Sequence, residues 1–149
     1  MLSIPVKPAP DGHQSLHAST VALNDQALVI CGPSGCGKSS LALRLMSLGA
    51  ALIADDRTLF TVVKGQLLAS APPTLPAGIE VRGLGLLAAP LGPATKVTAI
   101  LDLGVEEPDR LPAAKHIHLL GQNVTLLHKP DTPYIAEAMV HYLMHGRTH

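Results

Sequence analysis

The run Gly32-Pro33-Ser34-Gly35-Cys36-Gly37-Lys38-Ser39 has the form G-x-x-x-x-G-K-[ST], the pattern of a loop that cradles phosphate. Its glycines let the backbone wrap a polyphosphate with several N–H groups pointing inward. Lys38 can reach the β- and γ-phosphates, and the Ser39 hydroxyl can coordinate Mg²⁺. A second group of reactive type is the pair Asp55 and Asp56, which ends the short apolar run Ala51-Leu52-Ile53-Ala54. Strand ends in open α/β sheets converge on the ligand crevice. Adjacent side chains on an extended chain point to opposite sides. One carboxylate could therefore hold a metal or its water while the other accepts a proton. A solvated turn is the alternative reading of the pair.

These residues need elements to hold them. Ala27-Leu28-Val29-Ile30-Cys31 reads as a buried strand leading into the loop, and 40–48 reads as the following helix, with Leu41, Leu45 and Leu48 apolar. Gly49 is a plausible stop. A strand is expected over 16–23, running up to the turn pair Asn24-Asp25. Segments 58–63 and 66–70 read as a hairpin around Lys64-Gly65. A proline-rich connector, 72–76, precedes a glycine-punctuated stretch, 78–85, that carries Glu80 and Arg82. Strands are expected at 97–103, 116–120 and 124–127, with a polar loop at 106–112. Pro133 can open a final helix with Ile135, Met139, Val140 and Leu143 on one face. Strands outnumber helices, which predicts an α/β fold with a mixed β-sheet and few helices around the phosphate loop.

At 149 residues the chain fits one domain. Hydrophobic residues make up 47% but aromatics only 2%, so the core must be built from Leu, Val, Ile and Ala. Net charge is zero, and no basic stripe or aromatic platform points to nucleic acid. No apolar run approaches the roughly 20 residues that span a bilayer, and Met1 to Pro5 lack the features of a signal peptide. Cytoplasmic location is the expectation, with no membrane partner. Cys31 and Cys36 are expected to be free thiols, since a disulfide between them would distort the loop. His141 and His145 are four apart on the last helix, with His149 beyond. That spacing can bind metal, but no carboxylate or cysteine joins them, so a solvated helix face is the reading adopted. His116 and His118 share a strand face and are assigned no role.

The order His17, Gly-x-Ser-Gly-x-Gly-Lys-Ser at 32–39, Ala54-Asp55-Asp56-Arg57, and Glu80-Val81-Arg82-Gly83-Leu84-Gly85 resembles bacterial HPr kinase/phosphorylase over roughly 15–140. The resemblance implies the fold of the HPr kinase catalytic domain, related to phosphoenolpyruvate carboxykinase. It also implies an ATP- and Mg²⁺-dependent serine kinase acting on an HPr-like phosphocarrier protein of a phosphotransferase system, assembled as a homohexamer. Asp56 would be the proton acceptor, with Asp55 and His17 in support. Gly32 to Ser40, including Lys38, would bind the nucleotide. Ser39 and Glu80 would hold Mg²⁺. Arg82 and Gly83 belong to the segment that the family uses in both reaction directions, and Arg110 matches a later catalytic arginine. Outside the family pattern, a small-molecule kinase and a non-catalytic ATP sensor are the alternative functions.

The chain departs from the family in three places. Residues 1–14 read as a flexible lead-in or an edge segment ahead of a single catalytic domain at 15–145, and no separate N-terminal domain is expected before the loop. Ser40 stands where the family usually has an acidic residue. The stretch 127–133, Leu-His-Lys-Pro-Asp-Thr-Pro, stands where long forms carry Pro-x-Arg-Pro-Gly-Arg, and both arginines are missing. Phosphate used as an attacking group needs cations to hold it, and Lys129 is a thin replacement. Kinase activity with weak or no phosphorylase activity is therefore expected, as in the short alphaproteobacterial-type forms that the chain resembles.

Overall fold

Most of the expected strands join in one sheet. The computed structural model describes residues 2–8 and 13–148. Pro10 and Gly12 of the lead-in, and His149 of the C-terminal histidines, lie outside the described residues. In chain order the elements are β1 (Lys7–Pro8), β2 (Gln14–Leu16), β3 (Ala18–Leu23), β4 (Gln26–Cys31), α1 (Lys38–Ser47), β5 (Ala51–Ala54), β6 (Thr58–Val63), β7 (Gln66–Ser70), β8 (Gly78–Val81), β9 (Gly85–Ala88), β10 (Thr95–Glu106), β11 (Lys115–Leu119), β12 (Gln122–Lys129) and α2 (Ile135–His145). The sheet runs β1-β2-β6-β7-β10-β4-β3-β5, with β12 joined to β10 and β11 to β12. Among the described strand pairs, only β4–β10 and β10–β12 are parallel. The chain is thus a mixed α/β fold with a mostly antiparallel sheet. No helix of the described residues is long and apolar enough to cross a membrane.

β4 is apolar on both faces because both faces are covered, as expected of a strand in a parallel pair. Leu28 and Ile30 pack with Leu101 of β10 under Leu41 and Leu45 of α1 and Leu143 of α2. Ala27, Val29 and Cys31 face the other way, onto Ile100, Phe60 and Leu126. Burial pushes the Cys31 thiol up to about 12, with help from the nearby Asp102 carboxylate. Both cysteines are free.

Several elements differ from expectation, each for a local reason. The expected strand over 16–23 is interrupted at His17: Leu16 pairs with Thr58 of β6, whereas Ala18 pairs with Cys31 of β4. α1 starts at Lys38, two residues earlier than read, because Gly37 takes φ 100 and can stand as a left-handed cap. β10 runs on to Glu106, past the expected end, since it pairs first with β7 and then with β4 and β12. The glycine-punctuated stretch folds as a separate β8–β9 hairpin, and β9 had no expected counterpart because its four residues are all exposed. Residues 2–8 run along the sheet edge, the second of the two readings of the lead-in. Leu2, Ile4 and Val6 pack against the core opposite the helices, and Lys7 pairs with Ser15. Ser3 donates to the fully buried Asp102 through its backbone N–H (2.7 Å) and its hydroxyl (2.6 Å).

Candidate active site

β4 delivers the loop at its carboxyl end, and α1 takes over at Lys38. Gly32 must be glycine: its φ is 143, and a Cβ there would meet Cys36 Sγ at 2.7 Å and the Gly104 backbone nitrogen at 3.2 Å. The cradle is that tight because the loop turns back on itself, with the Cys36 N–H donating to the Pro33 carbonyl at 3.2 Å. The Gly37 cap makes no side-chain hydrogen bond, which leaves first-turn N–H groups of α1 for an anion. Lys38 is buried beneath the loop and donates to the Gly32 carbonyl at 2.9 Å and the Pro33 carbonyl at 3.2 Å. A phosphate in the loop can exchange those carbonyls for anionic oxygens.

The two aspartates are separated by a turn, not by an extended chain as expected. Arg57 N–H donates back to the Asp55 carbonyl at 2.8 Å, and Asp56 sits between them at φ 70. That left-handed conformation is uncommon for a residue with a side chain, and such strain tends to gather at functional sites. It sends the two carboxylates to different work. Asp55 Oδ1 accepts from the Ser39 hydroxyl at 2.8 Å and the Ser19 hydroxyl at 2.7 Å, and its Oδ2 accepts from the Glu80 backbone N–H at 3.0 Å. Asp56 instead bonds His17 Nε2 through Oδ1. They meet because the break between β2 and β3 lies opposite the break between β5 and β6. The Asp56 side chain is 74% exposed and His17 36%, so the pair stands open at the rim.

Loop, Asp56 and hairpin border a cleft of about 560 Å³ lined by His17, Lys38, Ser39, Asp56, Glu80 and Arg82, among others. Ser34, Gly35, Gly37 and Ser40 complete its loop side, and Ser19 its wall. Gly83 shapes the β8–β9 turn at φ 91 and is not part of the lining. Glu80 and Arg82 form no ion pair with each other among the described residues. The Asp55 carboxylate ties the Ser39 hydroxyl and the Glu80 backbone N–H to itself, so Ser39, Asp55 and Glu80 are neighbours at the cleft. This hard-oxygen set fits Mg²⁺, which needs only one or two protein carboxylates when phosphates and water fill its shell. The described residues hold no cluster of three or more His, Cys, Asp or Glu side chains placed to bind a metal. The His141 and His145 rings lie with centroids 4.7 Å apart and planes tilted by 47°.

Arg110 is not brought to this cleft. It lines a separate cavity of about 390 Å³ with Glu107, Lys115 and His128. Ser19 is the site residue that sequence reasoning missed. Its signal was its spacing, since it lies two residues after His17 and so on the same face of an extended chain.

Comparison with known proteins agrees with this geometry. A stretch of 75 residues is 39% identical to the HPr kinase/phosphorylase of Clostridium tetani, covering 50% of this chain and 25% of that protein. A stretch of 61 residues is 49% identical to the HPr kinase/phosphorylase of Bordetella petrii, covering 40% of this chain and 20% of that protein. The chain thus spans about a quarter of the length of these curated relatives. The fold matches the solved Hpr(Ser) kinase/phosphatase of Coxiella burnetii with a TM-score of 0.74 over 88% of each chain, at 22% identity. The family model for the HPr Serine kinase C-terminal domain matches residues 11–91, more than half of the sequence, and the chain belongs to that family.

Proposed function

We propose that this domain transfers the γ-phosphoryl group of ATP to a serine hydroxyl of an HPr-like phosphocarrier protein. The observation that carries the reading is the division of labour between the two aspartates. Asp55 is bound to the phosphate-loop serine, whereas Asp56 is bound to His17 at the open rim. The loop N–H groups and Lys38 hold the phosphates. Mg²⁺, when bound, offsets charge on the β- and γ-phosphates, and Ser39, Asp55 and Glu80 are the groups that would hold it. Ser19 fixes the Asp55 carboxylate through its hydroxyl. Arg82 supplies positive charge at the cleft where transferring oxygens become more negative.

A serine hydroxyl is a weak nucleophile until its proton has an acceptor within hydrogen-bond reach. An ionised carboxylate only accepts, so His17 Nε2 donates to Asp56 Oδ1. Oδ2 remains to take the serine proton as the new O–P bond forms and the bond to ADP breaks. The exposure of Asp56 suits an acceptor hydroxyl carried on a protein surface. In the reverse direction Asp56 would return the proton, but 127–133 offers only Lys129 where the family has two arginines, so phosphorylase activity is weak or nil. Cytoplasmic location and assembly as a homohexamer belong to the same reading. Exposed Leu84 and Leu86 on the β8–β9 hairpin give an assembly apolar surface to cover.

The test is transfer of label from γ-labelled ATP, with Mg²⁺, to the HPr-like protein of the same organism. Label on a serine of that protein is the expected result. ATP binding without any label would sink the protein-kinase reading in favour of a sensor or a small-molecule kinase.

A further inference from the structure

The second cavity opens at the carboxyl ends of β10 and β12, on the same edge of the sheet where parallel β4 delivers the phosphate loop. Ligands of open α/β sheets bind outside the carboxyl ends of parallel strands. Its volume of about 390 Å³ falls within the range of small-molecule sites. No residue is shared between its lining and that of the loop cleft.

Its floor is apolar, with Leu101, Leu127 and Met139. Its polar groups carry both signs and are only partly matched to each other. Lys115 and Glu107 satisfy one another at 2.5 Å, and Arg147 donates to the Pro112 carbonyl at 3.4 Å. The Arg110 guanidinium and the carboxylates of Asp109 and Asp131 have no hydrogen bond or ion pair among the described residues. His128 Nε2 is shut off from solvent and makes no hydrogen bond.

We propose that this cavity binds a free α-amino acid with an apolar side chain of about leucine size. Arg110 takes the carboxylate, where its planar fork can bond both oxygens. Asp109 and Asp131 take the ammonium group, and the side chain lies on the Leu101–Met139 floor. The proposal uses uncommitted charge of both signs, which a simple anion or an uncharged apolar molecule would leave half unmatched. It does not depend on the phosphotransfer reading, because binding alone tests it. β10 also links the two sites: Leu101 floors the cavity, and three residues on, a Cβ at Gly104 would meet Pro33 of the phosphate loop at 2.8 Å.

The experiment is calorimetric titration of the 149-residue chain with L-leucine and, separately, with 4-methylpentanoate, which lacks only the ammonium. Leucine is expected to bind at millimolar concentration or below, and 4-methylpentanoate about tenfold more weakly or worse. Arg110→Gln and Asp131→Asn lie at exposed positions and should keep the far-ultraviolet circular dichroism of the parent. Each should weaken leucine by about tenfold. No leucine binding at concentrations on the order of 10 mM overturns the proposal. So does equal affinity for the two probes, or unchanged leucine affinity in Arg110→Gln and Asp131→Asn.

Discussion

Asp102 is a fully buried carboxylate with no cation bonded to it among the described residues, held by three donors. Two come from Ser3, and the third is the Gly104 N–H at 2.9 Å. Removing a partner of a buried charge is worse than removing the charge itself. Ser3→Ala deletes the hydroxyl donor, whose 2.6 Å bond is of the short charge-assisted kind. Such bonds contribute roughly 1.5–3 kcal/mol net. Because Ser3 is itself exposed, a value near 2 kcal/mol is expected, or about 4–8 °C in Tm for a chain of this length. Asp102→Ala has mixed consequences: the Ser3 donors return to water, and the burial penalty of the charge disappears with it. The coupling between the two substitutions is therefore the decisive quantity. Urea unfolding of the wild type, both single variants and the double variant, followed by circular dichroism, should give an interaction energy of roughly 2 kcal/mol. A coupling below about 0.5 kcal/mol would refute the claim that the N-terminal segment is clasped to the sheet through this carboxylate.

Gly104→Ala would put a methyl group 2.5 Å from the Ser3 hydroxyl and 2.8 Å from Pro33 Cδ. It should weaken ATP binding as well as stability in equilibrium titrations, and unchanged ATP affinity would mean that the loop does not lean on β10. Cys31 has an ordinary pKa of 9.0 and about 12 when folded, so above pH 9 the unfolded chain loses a proton that the folded chain keeps. Stability should fall with rising pH across that interval, and between pH 8 and pH 10 the wild type should lose roughly 1.4 kcal/mol more than Cys31→Ala; equal losses would show that the thiol is not sheltered. The Lys115 hydrogen bond, with a smaller contribution from the Asp109 N–H, holds Glu107 below its ordinary 4.5. The stabilisation from this pairing is present above pH 4.5 and is lost as pH falls through the folded value, so Lys115→Met should flatten the acid limb of the stability curve. An acid limb identical to wild type would contradict that pairing.

The phosphate loop was legible because its chemistry demands residue types at fixed spacing within one short segment. The aspartate pair was legible too, and the resemblance implied its division of roles, but the geometry behind that division was not legible. That division depends on the left-handed turn at Asp56 and on a strand break at His17, and both arise from pairings with distant strands. Asp102 carried a signal that was passed over, since a lone carboxylate inside the apolar run 97–103 must find donors. Two of its three donors come from residue 3, which no local pattern could reveal. β9 was invisible because Leu86 and Leu87 are exposed, so its strand has no buried face to impose a period on the sequence. Arg110 illustrates the limit of motif matching. Its match to the family rests on the short segment Pro108-Asp109-Arg110-Leu111, and the fold carries it to the second cavity.

The central claim is that Asp56, and not Asp55, accepts the serine proton. The direct measurement pairs nucleotide affinity with single-turnover transfer of γ-labelled phosphate in Asp56→Asn. Asparagine preserves shape and can still meet His17, but it cannot take the proton. The account predicts ATP affinity within a few-fold of wild type and a transfer rate lower by about 10² or more. Transfer within about tenfold of wild type would contradict it.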